Sequence, residues 1–138
     1  MTESRQQVLE RALERVADQQ GDITTAAMAR FHAACPDAQA SFEKHWPGRA
    51  AKLEAEMVGN AVYFVMTWFE RRSEIAITIG TSVPHHHFTL EVPADWYGAL
   101  LIAVIDQLAL STPVDAADEI AMWRDLRTDL MQAVASSL

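Results

Sequence analysis

Apolar residues recur at three- and four-residue steps through five separate segments of this chain, and this spacing constrains the fold more than any other feature. In the first segment, Glu3 to Gln20, apolar positions such as Val8, Leu9 and Val16 fall on one side of a helix, and Glu, Arg and Gln fill the other. A period near 3.6 residues is typical of an amphipathic α-helix that buries one face. The sequence therefore predicts an all-α fold.

Capping residues and prolines predict where the second helix begins and ends. Asp22 or Thr24 can cap its first turn through a side-chain oxygen. The helix stops at Cys35, because Pro36 disfavours helical backbone in the residue before it. Residues 37–42 are then expected to form a short turn or helical fragment.

Three further helices follow from the same signals. A long helix begins at Pro47 and continues to the arginine pair at positions 71 and 72. A strongly apolar helix opens at Pro93, and its composition predicts that it is largely buried. Thr112 and Pro113 form a cap and first-turn pair for the last helix, which is again amphipathic.

The segment 73–92 is harder to assign. Ile75, Ile77 and Ile79 alternate with smaller residues, which fits a β-strand as well as a helix. Pro84 would interrupt a continuous helix, because proline supplies no amide hydrogen. We therefore expect an irregular or extended segment here, with a hairpin as one alternative.

Composition and charge exclude several classes of function. The 138 residues show no break in composition, which predicts a single domain over 1–138. The net charge of −8 disfavours binding to nucleic acid or to an anionic membrane surface. Cys35 is the single cysteine and has no partner for an internal disulfide. With no secretion signal and no long apolar run, we expect a cytoplasmic protein.

Sequence motifs for catalysis are missing, and the most unusual feature is the triplet His85, His86 and His87. No Gly-x-Ser-x-Gly motif, zinc-binding spacing or phosphate-binding glycine loop occurs in the chain. Successive helical side chains differ by about 100° in direction, so the three histidines cannot share one site. On composition alone they fit a solvated loop.

Several motifs, in order, resemble the single-domain bacterial globins. Pro36 and Phe42 match the spacing of a family proline and a haem-contacting phenylalanine. The run from His87 to Tyr97 is similar to the family pattern of a proximal histidine, a leucine three residues on, a proline, and a tyrosine ten residues on; here Leu90 and Pro93 hold the middle positions. The two C-terminal helices also resemble the last two globin helices.

The resemblance implies a globin-like helical bundle that binds haem b, with His87 as the proximal iron ligand. His85 and His86 are substitutes if the register differs. The ligand would be a diatomic gas such as oxygen, nitric oxide or carbon monoxide, and any turnover would need a separate reductase. A homodimer is compatible with this expectation. The residues expected to contact the cofactor are Phe42, Met28, Leu53, Met57 and Tyr97.

Two alternatives remain open at the level of sequence. The first is a globin-fold module without haem that acts through protein contacts in regulation or dimerisation. Pro84 favours it, and so does Met28, which stands where many bacterial globins have a tyrosine. The second is an unrelated α+β domain in which 73–92 forms a hairpin.

Overall fold

The chain folds into seven helices in a computed structural model that describes residues 3–138. No β-strand occurs among these residues, so the all-α prediction is confirmed and the hairpin alternative is wrong. The helices are α1 (Arg5–Gln19), α2 (Thr24–Ala34), α3 (Pro36–His45), α4 (Ala50–Thr67), α5 (Arg72–Phe88), α6 (Ala94–Ala109) and α7 (Ala117–Ala135).

The sequence signals explain where the first helices begin and end. Ser4 caps α1 in a reciprocal capping box with Gln7, which satisfies two amide groups that the first turn leaves unpaired. Pro36 occupies the first turn of α3, where a missing amide hydrogen costs nothing. Because Cys35 lies before this proline, its non-helical backbone separates α2 from α3.

The prediction of an irregular or extended segment over 73–92 is wrong for most of its length. Arg72–Phe88 is one helix, and only residues 89–93 lack helical structure. The buried side chains are Ile75, Ile79 and Val83, at four-residue intervals, whereas Ile77 between them is 71% exposed. Burial of one helical face therefore decides the conformation, and the helix accommodates Pro84 inside it.

Helix α6 occupies the centre of the packing. It contacts α2, α4, α5 and α7, and its buried residues lie on most sides of the helix, as its apolar composition predicts. Helices α4 and α5 both pack against α6 but make few contacts with each other. This arrangement leaves a cavity between α4 and α5 that α6 closes from behind.

A buried carboxylate joins the N-terminal helix to the C-terminal one. The side chain of Glu119 on α7 is 1% exposed, and it accepts hydrogen bonds from Arg11 at 2.9 Å and from Arg15 at 2.6 Å. The bond to Glu119 raises the pKa of the Arg15 guanidinium. The α1 and α7 pairing is therefore held by charge as well as by apolar packing.

Candidate functional site

A cavity between α4, α5 and α6 is the more enclosed and more apolar of two concave sites found among the described residues. Its volume is about 140 Å³, and it opens in part to solvent. Apolar and aromatic side chains dominate its surface, as is typical of binding sites for small molecules. It is lined by Phe31, Phe42, Trp46, Leu53, Met57, Asn60, Ala61, Phe64, Ser82, His86, Leu90, Val92, Trp96, Tyr97, Leu100 and Leu101.

Aromatic rings from three helices form one end of the cavity. Phe42 on α3 stacks on Phe31 of α2, with ring centroids 6.2 Å apart and an angle of 11° between the planes. Trp96 of α6 meets Phe42 edge-on at 6.1 Å. Both geometries are favourable for aromatic pairs, so this wall is held in place by its own packing.

His86 is the polar centre of the cavity, and its ring has a defined orientation. Nδ1 lies 2.7 Å from the backbone oxygen of Ser82, one turn earlier on α5, and 3.3 Å from the Ser82 hydroxyl. Because a carbonyl oxygen only accepts, Nδ1 must donate the hydrogen. In the neutral imidazole, Nε2 then carries an available lone pair.

Tyr97 supports the His86 ring from α6. The two rings meet edge to face, with centroids 5.5 Å apart and an angle of 76° between them. Burial raises the pKa of the Tyr97 hydroxyl, and an interaction with the Ser82 hydroxyl opposes this shift only in part. The phenol therefore stays neutral, and it adds no charge to the cavity.

The structure brings four of the predicted contact residues together. Phe42, Leu53, Met57 and Tyr97 all line the cavity. Met28 does not: it is buried on α2 in the hydrophobic core, outside the cavity lining.

The sequence points to His87 as the histidine of the site, but the structure places its neighbour His86 there. His87, the predicted iron ligand, lies on the exposed face of α5, where its ring packs against Phe88 at 4.7 Å. His85 is exposed as well. His86 alone of the three lines the cavity.

A signal for His86 is present in the sequence. Ile75, Ile79 and Val83 mark the inward face of α5, and His86 lies three residues after Val83, so it continues that face. Because an irregular or extended segment was expected here, this helical spacing was not used to choose among the histidines. Asn60 on α4 was also missed; it is an exposed residue whose side chain borders the cavity, and no local motif marks it.

The side chains that line this cavity suit a haem, but the volume of the cavity is small for one. A haem needs an imidazole nitrogen on one face and apolar walls around the ring, and His86 and the aromatic residues supply both. The volume of about 140 Å³ is below the ~300 Å³ at which cofactor pockets usually start. A haem would therefore require α4 and α5 to move apart.

In residues 3–138, no group of three or more histidine, cysteine, aspartate or glutamate side chains is arranged so that it could hold a metal ion. Within the same residues, no helix is both long and apolar enough to cross a membrane. Comparison with known proteins gives no match to a protein family, a curated protein or a solved structure.

Proposed function

We propose that this chain is a globin-like haem protein that binds a small diatomic ligand, with His86 as the protein ligand to iron. The orientation of His86 is the observation that carries the proposal. A ring held by an Nδ1 hydrogen bond to a backbone carbonyl, on a side chain that lines an apolar cavity, would suit a protein ligand to iron.

The residues of the cavity would each have a defined part in holding the cofactor. The Ser82 carbonyl fixes the tautomer and direction of His86 and increases its basicity. Phe42 and Trp96 would exclude water from one edge of the ring. When bound, haem supplies an iron centre that can take a diatomic molecule at its remaining position.

The low direct contact between α4 and α5 supports the opening that a haem needs. Both helices pack mainly against other neighbours, α4 against α2 and α6 and α5 against α6 and α7, so their separation would break few direct contacts between them. Leu53 and Met57 on α4 would then contribute apolar contacts to the cofactor. The cost of opening would be offset by the apolar surface that the cofactor buries.

An absorption spectrum after reconstitution with hemin tests the proposal. We expect a Soret band that shifts when carbon monoxide is added to the reduced protein. His86→Ala should remove the histidine-ligated spectrum, whereas the matched variant His87→Ala should keep it, because that side chain lies on the outer face. Loss of the spectrum in His87→Ala alone would reject His86 as the ligand.

A haem-free role as a regulatory or dimerisation module is the second candidate, and the small volume of the cavity favours it. In that case hemin would give no Soret band in the wild-type protein. Size-exclusion chromatography with light scattering would then show whether the chain associates with itself.

A further inference from the structure

The cavity has the size of one aromatic ring. An engineered apolar cavity of about 150 Å³ in another protein binds benzene, so a volume of about 140 Å³ is suitable for a molecule of that class. The cavity also opens in part to solvent. Such binding would occur in the haem-free protein and does not depend on the proposed haem function.

The walls of the cavity suit a flat apolar molecule. Phe31, Phe42, Phe64 and Trp96 present aromatic surface, and aliphatic residues of α4 and α6 complete the enclosure. Aromatic pairs gain about 0.5–1.5 kcal/mol beyond the burial of their area. An aromatic ring is therefore favoured over an aliphatic chain of equal volume.

Besides Asn60, Ser82 and Tyr97, the polar side chains that line the cavity include His86, whose ring can accept a hydrogen bond. The Nδ1 hydrogen of His86 is donated to Ser82, and Nε2 has no hydrogen-bond partner among the described residues. A ligand in the cavity that reaches this nitrogen gains a hydrogen bond if it brings a donor of its own, whereas a ligand without a donor leaves the acceptor unpaired. Tyr97 packs against the ring and restricts its rotation.

We propose that the haem-free protein binds a single-ring aromatic alcohol of the phenol class. Its ring lies among the aromatic side chains of the cavity, and its hydroxyl donates a hydrogen bond to Nε2 of His86. Size selects one ring, and the free acceptor selects a hydroxyl on it. Haem and phenol cannot bind at the same time, because both need Nε2 of His86.

Isothermal titration of haem-free protein with phenol and with anisole tests this inference. Anisole has the same ring and the same oxygen but no donor hydrogen. Phenol should bind saturably, and His86→Leu should weaken its binding about tenfold, the value of one hydrogen bond of about 1.4 kcal/mol. Anisole should lose less than about threefold in the same variant, and His87→Leu should leave both ligands unchanged.

A measurement on the unaltered protein covers the case in which His86→Leu does not fold. In ¹⁵N-labelled wild-type protein, phenol should shift the His86 Nε2 resonance, whereas anisole should leave it in place. Absence of saturable phenol binding would overturn the inference, and so would equal losses for phenol and anisole in His86→Leu. Hemin titration of a separate sample tests the haem proposal: a missing Soret band with intact phenol binding would reject haem alone.

Discussion

Replacing the buried carboxylate of Glu119 tests how α1 and α7 are held together. Glu119→Gln keeps the shape of the side chain but removes its charge, so Arg11 and Arg15 lose the anion that they share. Removing one partner of a buried ion pair costs about 3–5 kcal/mol. The side chains of Arg11 and Arg15 are 37% and 24% exposed and can regain water, and Arg11 keeps its ion pairs with Glu3 and Asp118, so we expect a loss no larger than the lower end, about 3 kcal/mol.

This loss converts into a measurable change in melting temperature. An unfolding entropy of about 2.1 cal/mol/K per residue gives about 0.29 kcal/mol/K for 138 residues. A loss of about 3 kcal/mol should therefore lower Tm by about 10 °C. Urea unfolding followed by circular dichroism at 222 nm, together with scanning calorimetry, measures both quantities.

Glu14→Gln is the matched control, because Glu14 lies on the exposed face of the same α1. This change should alter stability by less than about 0.5 kcal/mol. If Glu119→Gln costs less than about 1 kcal/mol, or no more than the control, the buried carboxylate does not hold the two helices as we argue.

Three further predictions concern the core, the cavity and α5. Leu130→Ala should cost about 3–4 kcal/mol in urea unfolding because the side chain is fully buried, whereas Leu110→Ala, at 64% exposure, should cost under about 1 kcal/mol; similar losses would contradict the packing. The raised pKa of Tyr97 means that the folded state holds this proton more tightly than the unfolded chain, so stability should fall as pH rises above about 10, and Tyr97→Phe should reduce that slope. Pro84→Ala should raise Tm because it supplies an amide hydrogen for the Gly80 carbonyl, and a lower Tm would show that the proline is preferred at this position.

The segment 73–92 shows why local pattern was insufficient. Alternation at Ile75, Ile77 and Ile79 is compatible with both periods, because positions four apart satisfy a strand face and a helix face alike. Packing against α6 and α7 selected the helix, since this buries Ile75, Ile79 and Val83 together. The sequence pattern within this segment carries no information on its contacts with α6 and α7.

Tertiary packing also decides which of the three histidines faces the cavity. A motif spacing pointed to His87, but the rotation of α5 about its own axis decides which ring meets the cavity. That rotation is set by the buried face of the helix, and it places His86 inward and His87 in solvent. Ser82 then fixes the ring through a hydrogen bond within the same helix.

Sequence alone determined the helical class, the breaks at Pro36 and Pro93, and the burial of α6, because apolar period, proline and capping chemistry act within a few residues. It also supplied Phe42 and Tyr97, two of the aromatic residues around the cavity. Only the tertiary structure decided the cavity volume, the exclusion of Met28 from its lining and the position of His86 in that lining. Each of these depends on how whole helices rotate and pack, which residues distant in the chain determine together.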